Sequence, residues 1–333
     1  MRRPDDVLLR RPDTVLGQRL FGPVLLTLLL AVLAGCGLVG YGPTPLPGDE
    51  SAAPSPAPTT APTTAPAQCD NALASYDPSD TEGTAVKRIQ KRGRIIAGVS
   101  ADTYLLGSRN PFTGKIEGFD IDMVKAMAKA IVGDENAYEL RVITAAQRIP
   151  SLENGSVDMV ARNMTITCDR WTQVGFSTEY YAAGQKILVR RGSKATTLAD
   201  LADQRVCAPN GTSSMTNLMK LQPKAIAVGA DNHTGCLALF QNGEVDAITG
   251  DDTVLAGLAA QDPYAVVPDQ KAFTAEPYGL AFNSKDVDLI RFANGVLAEM
   301  RSDGQWKRIY DRWLAEALGP APAPPKAVYG RAT

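Results

Sequence analysis

Histidine is nearly missing from this chain: 333 residues carry one, His233. A hydrolytic triad needs a histidine beside its nucleophile, and the rest of a triad's context is missing too. With no second histidine and no C-x-x-C motif, a transition-metal site also lacks its usual ligand set, so no metal or other cofactor is expected. Long apolar runs are scarce as well. Residues 20–33 form a run of about fourteen, short of the roughly twenty that a membrane-spanning helix needs. Basic clusters are absent from the body of the chain. The first 35 residues hold five of the 34 basic and three of the 36 acidic residues, leaving 29 against 33, a net charge of −4. That balance excludes a nucleic-acid face and charge-driven attachment to an anionic membrane.

What is present starts with a targeting signal. Arg2, Arg3, Arg10, Arg11 and Arg19 precede the apolar run, which closes on Leu33-Ala34-Gly35-Cys36. We read residues 1–35 as a lipoprotein signal peptide ending in a lipobox, with cleavage before Cys36 and lipid on its thiol. Each buried CH₂ of such lipid contributes about 0.8 kcal/mol, so several acyl chains hold a protein firmly at the membrane. Residues 36–84 are read as a tether. Its stretch 41–68 is Pro, Ala, Thr and Ser around PTTAPTTAPA, which forms no core and favours extended polyproline II at about 3.1 Å per residue. Residues 319–333 are proline-rich again and are expected on the surface or disordered.

The remainder, about 230 residues, suffices for two modest domains. Strand and helix patterns alternate. Strands are predicted at residues 94–99, 138–143 and 157–161, with a helix from Asp120, as N-cap, to about residue 131, and another opened by Pro150 and stopped by Asn154-Gly155. A second series has strands at 185–190, 206–208, 225–228 and 247–249, with helices from residue 212 and near 236–241. A strand at 278–282 and helices within 285–318 complete the chain. This alternation predicts an α/β fold with parallel sheets and crossover helices.

One stretch, VDMVARNMTITCDRW at residues 157–171, reads as a binding element. A strand runs into Thr165 and Thr167, whose hydroxyls share a side in an extended chain. Arg170 follows, with a planar fork of donors suited to a carboxylate. Open α/β sheets bind ligands at this end of their strands. The plain alternative is a surface arginine beside a Thr-rich turn.

Gly118-Phe119-Asp120-Ile121-Asp122 lies upstream, as does Arg148-Ile149-Pro150. Downstream come Phe176-Ser177-Thr178, Asn210-Gly211-Thr212-Ser213-Ser214, Val245-Asp246-Ala247 and Arg301-Ser302-Asp303-Gly304-Gln305-Trp306. In this order and spacing, over roughly residues 85–318, the chain strongly resembles the family-3 extracellular solute-binding proteins, which capture polar amino acids. Within them it is most like the glutamate/glutamine-binding lipoproteins. The resemblance implies a two-domain clamshell of the type II periplasmic binding proteins, with two mixed or parallel sheets joined by hinge strands at 185–190 and 278–282. Domain 1 would hold residues 85–185 and 280–318, and domain 2 residues 186–279.

The resemblance also implies a site. Arg170 and Thr165 match positions that hold the ligand α-carboxylate, and Asn163 and Asp251 match positions that receive the α-ammonium, with Asp252 as the neighbouring alternative. Both ligand charges need partners in a dry cleft, because unpaired buried charge is costly. Thr212 and Ser213 would present donors at a helix N-terminus, a second place for an anion, or simply cap that helix. Arg148, in Gln147-Arg148-Ile149-Pro150, matches the arginine of acidic-amino-acid binders that pairs with the side-chain carboxylate. Arg162 would alternate to the other side of the strand. Tyr104 is the candidate aromatic stacking partner, while Ala145 or Ala146 stands where relatives have another aromatic.

Four cysteines remain besides Cys36. Cys207 lies in a predicted strand of domain 2 and Cys236 in a helix expected on the same sheet, so these two are paired, leaving Cys69 with Cys168. The whole is read as a monomeric, lipid-anchored protein on the outer face of the membrane. It would bind glutamate or aspartate ahead of glutamine or asparagine and deliver the ligand to an ABC permease. A sensor that signals occupancy to a membrane partner fits the same features. An exported dehydratase-like enzyme is the remaining alternative, which the lone histidine disfavours.

Overall fold

The computed structural model describes residues 69–79 and 82–332; the signal peptide, Cys36 and the stretch 41–68 lie outside the described residues. Two sheets carry the architecture. The first has, in spatial order, the strands Tyr138–Val142, Ile95–Val99, Met159–Val160, Ala281–Asn283 and Val174–Phe176. The first three are parallel, linked through the helices Phe119–Val132 and Arg148–Glu153, and Ala281–Asn283 runs antiparallel to both its neighbours. Alternation decides which residues face which layer. Ile95, Ala97 and Val99 join one apolar cluster with Phe119 and Ile121, while Ile96 and Val160 join another with Leu152 and Phe176. Both faces are covered, as a sheet with parallel crossovers requires.

The second sheet has the order Ile226–Ala230, Arg205–Pro209, Ala247–Asp251, Tyr181–Arg190 and Ala265–Val266, with Thr274–Tyr278 also paired to Tyr181–Arg190. It too separates two clusters, Leu188 and Ile248 facing one and Ile187 and Ala247 the other. The disulfide Cys207–Cys236 joins strand Arg205–Pro209 to helix His233–Gln241, as the sequence suggested.

The chain passes from the first sheet to the second between Val174–Phe176 and Tyr181–Arg190, and returns between Thr274–Tyr278 and Ala281–Asn283. The second crossing falls within 278–282, where the sequence put it, and the first differs. Gln185 sits in mid-strand opposite Asp251 and Thr274, so the first crossing precedes Tyr181. The expected strand 278–282 is two strands in different sheets, because Tyr278 stays packed on Tyr181, with ring centroids 5.6 Å apart, while Phe282 belongs to the first sheet. Asp120 is likewise no N-cap. Gly118 caps Phe119–Val132, and Asp120 is buried in its first turn.

The folded body starts earlier and ends later than composition suggested. Residues 69–79 are no free tether: Cys69 is bonded to Cys168, Ser75 Oγ donates to the Phe176 carbonyl, and Trp171 Nε1 donates to the Ala72 carbonyl. The proline-rich tail is held against them. Ser75 N–H donates to the Val328 carbonyl, Arg331 N–H donates to the Ser75 carbonyl, and the Arg331 guanidinium lies 3.6 Å over the Trp171 ring. A proline-rich segment builds no core of its own but can lie on one that other elements have built. No helix among the described residues is long and apolar enough to cross a membrane.

Candidate functional site

The stretch singled out in the sequence ends its strand at Val160 and turns sharply. Asn163 takes a left-handed backbone (φ +37°), which asparagine tolerates better than most residues. The turn aims its N–H at Asp120 Oδ2, 2.9 Å away. Thr165 then bridges to Tyr278, and Thr167 caps a single helical turn, Cys168–Trp171, by accepting from Arg170 N–H at 3.2 Å. Arg170 is thereby carried back towards Thr165, donating through Nη1 to the Thr165 carbonyl at 2.6 Å.

Arg148 opens the preceding helix, Arg148–Glu153, and is 3 % exposed. Its Nε donates to the Ala145 carbonyl (2.9 Å), its Nη1 to those of Arg162 (3.2 Å) and Asn163 (3.3 Å), and its Nη2 to that of Gly211 (3.2 Å). Arg170 Nη2 reaches the same Gly211 carbonyl at 3.4 Å. Two arginines of the first sheet thus grip one loop of the second. Gly211 (φ +72°) comes so close that a Cβ on it would lie 2.9 Å from Ala146 Cα.

Asp251 ends strand Ala247–Asp251 and is 3 % exposed. Its Oδ2 accepts from the Tyr278 hydroxyl at 2.7 Å and its Oδ1 has no partner. Burial, reinforced by the Glu276 charge, pushes its carboxyl up to about 8, against the Tyr278 hydrogen bond and Arg148. Asp252 instead starts the helix Asp252–Gln261 and accepts from Thr253 N–H. His233 packs over Gly250, where a Cβ would lie 2.4 Å from Nε2, and that nitrogen sits 3.3 Å from the Thr249 carbonyl. Burial pushes its imidazole down to about 3, with Arg162 and Arg148 adding to the effect, so it stays neutral.

Ser213 and Thr212 divide their duties. Thr212 is spent on the helix Ser213–Leu221, accepting from Met215 N–H at 3.2 Å and donating to the Pro209 carbonyl at 2.6 Å. Ser213 Oγ faces the cleft floor, 3.0 Å from Thr165 Oγ1. There the structure adds a residue that sequence reasoning missed. Glu276, 2 % exposed, accepts from Thr165 (2.8 Å) and Ser213 (2.6 Å) on Oε2, and from Asn217 (2.8 Å) and Thr274 (2.7 Å) on Oε1. A lone glutamate within the strand Thr274–Tyr278 gave no signal, because its partners outside that strand come from the Thr165 turn and the helix Ser213–Leu221. Tyr104 does not join this group. It is 45 % exposed and lines a separate cavity of about 650 Å³ with Phe112, Arg109 and Trp313.

Arg162 also departs from expectation. It is buried (5 % exposed), because the chain has left the extended conformation by Asn163 and strand alternation no longer governs it. Five buried side-chain atoms among the described residues have no hydrogen-bond partner. Three of them, Arg162 Nε, Asn163 Oδ1 and Asp251 Oδ1, belong to this region.

The cleft joins buried guanidinium groups, hydroxyls and an under-paired carboxylate between two α/β lobes. That set can neutralise a small molecule bearing both signs of charge. The chain belongs to the bacterial extracellular solute-binding proteins, family 3, whose profile matches residues 95–316. It is 38 % identical over 253 residues to the ABC transporter glutamine-binding protein GlnH of Bacillus subtilis, covering 73 % of this chain and 92 % of that protein. It is 42 % identical over 196 residues to a glutamine-binding protein of Geobacillus stearothermophilus, covering 59 % of this chain and 74 % of that one. Among solved structures, the P235GK mutant of ArgBP from T. maritima superposes with a TM-score of 0.65 at 30 % identity, covering 70 % of this chain and 100 % of that one. The fold is that of the type II binding proteins, and the chain is an extracytoplasmic solute-binding protein rather than an enzyme.

Proposed function

We propose that this protein captures a polar amino acid between its two lobes, with glutamate and aspartate preferred, and delivers it to an ABC importer. In this reading residues 85–185 with 280–318 form one lobe and residues 186–279 the other, the first boundary shifted to the crossing before Tyr181. The ligand α-carboxylate meets Arg170 and Thr165, and its ammonium meets Asp251 and the Asn163 side. The observation that carries the reading is the facing of Asp251, with its unpartnered Oδ1, by Arg148 and Arg170, all nine-tenths buried or more. Arg148, Arg162 and Arg170 together suit a ligand with two carboxylates and one ammonium. The names of the relatives support an amino acid as the ligand.

Calorimetric titration against the twenty amino acids tests this. A hydrogen bond to a charged group contributes about 1.5–3 kcal/mol against roughly 1 for a neutral one. Glutamate is therefore expected to bind about five- to thirtyfold more tightly than glutamine. Heat from neither acidic amino acid nor amide would overturn the reading.

A further inference from the structure

We propose that Arg162 is the residue that reads the ligand's side-chain carboxylate, and that Arg148 positions it. This rests on the amino-acid reading above and names the group that selects an acidic side chain.

The argument is a count of donors. An arginine has five N–H groups. Arg148 uses four of them on the carbonyls of Ala145, Arg162, Asn163 and Gly211, so it has no pair left for a bidentate grip. Its place in the fold is that of a brace: it ties the turn bearing Arg162 and Asn163 to its own helix and to the Gly211 loop. Arg162 is the opposite case. Its side chain makes no hydrogen bond or ion pair to any described residue, and its Nε is buried without a partner. The nearby acids are occupied elsewhere. Asp120 accepts from the Tyr180 hydroxyl and Asn163 N–H, and Asp102 accepts from Ser100 Oγ. A buried cation without hydrogen bonds costs the fold free energy, which here only the charges of Asp102 and Asp120 offset. One guanidinium, that of Arg148, bonds both the Arg162 carbonyl and the Gly211 carbonyl of the second sheet's loop, which places the Arg162 backbone at the junction between the lobes. It stands one residue from Asn163, on the same turn as the residues assigned to the α-groups. A carboxylate on the ligand side chain supplies the two acceptors that this guanidinium lacks, so the ligand class is a dicarboxylic amino acid.

Titration of the full-length protein, its Arg162→Met variant and its Arg148→Gln variant with glutamate and glutamine tests the assignment. Arg162→Met is expected to weaken glutamate by about tenfold or more and glutamine by less than about threefold, while the ligand-free melting temperature does not fall. Arg148→Gln is expected to weaken both ligands in parallel, keeping their ratio. Arg162→Lys, which keeps the charge and loses the fork, is expected to fall between wild type and Arg162→Met in glutamate affinity, and it serves if the methionine variant fails to fold. A wild-type ratio of glutamate to glutamine affinity in Arg162→Met and Arg162→Lys overturns the proposal, as does a ratio that collapses only in Arg148→Gln. A wild-type protein that binds no amino acid overturns the amino-acid reading itself, and with it this assignment.

Discussion

Arg170 and Asp251 are the two residues whose removal speaks most directly to the site. Arg170 is nearly buried, and the acids that support its charge are Glu276 and Asp251. Truncating one member of a buried charged set costs about 3–5 kcal/mol, so Arg170→Ala is expected to lose hundreds- to thousandsfold in affinity for every amino-acid ligand while remaining folded, as titration and circular dichroism would show. Asp251 yields a pH signature. Its carboxyl is pushed from 3.8 up to about 8 in the ligand-free fold. A folded value above the unfolded one means that its contribution to stability is complete below about pH 4 and is lost as pH rises through 8. A bound ammonium favours the ionised form, so binding releases a proton below pH 8 and affinity rises as pH climbs from 5 towards 8. Calorimetry in two buffers of different ionisation heat counts that proton, and Asp251→Asn is expected to abolish the release.

Among the elements, the short segments at the two ends of the body depart furthest from their composition. Cys69–Cys168 closes a separation of 99 residues and Cys207–Cys236 one of 29. If the chief effect is lost chain entropy in the unfolded state, the longer loop is worth about 4.7 kcal/mol and the shorter about 3.6. The Cys69→Ser/Cys168→Ser pair is therefore expected to lower stability more than the Cys207→Ser/Cys236→Ser pair, measured by urea unfolding. Cys168 begins the helical turn that carries Arg170, so the first pair is also expected to loosen ligand binding. Much at this scale was legible beforehand. Asn154 caps the end of the helix Arg148–Glu153 and Pro150 lies in its first turn, while the Cys207–Cys236 pairing follows from a strand and helix on one sheet, which leaves Cys69 with Cys168. The split of 278–282 into two strands was not legible, because that apolar run reads the same whether it serves one sheet or two.

At the scale of the whole molecule, the body has two α/β lobes and a cleft, and we propose that it is held at the membrane through Cys36 and the stretch 41–68. Cys36→Ser is expected to move the protein from the membrane fraction to the soluble one, checked by fractionation and immunoblotting; retention in the membrane would overturn the lipid anchor. The sequence by itself determined the α/β class and the family. Those features are local: apolar periods, caps and short motifs are written in consecutive residues. Only the tertiary structure decided which of several arginines has its donors free, that Glu276 sits under Thr165 and Ser213, and that the proline-rich tail lies against residues 69–79. The last two depend on partners 63 to 256 residues apart along the chain, where spacing carries no signal and only the packed fold brings the groups within hydrogen-bonding distance.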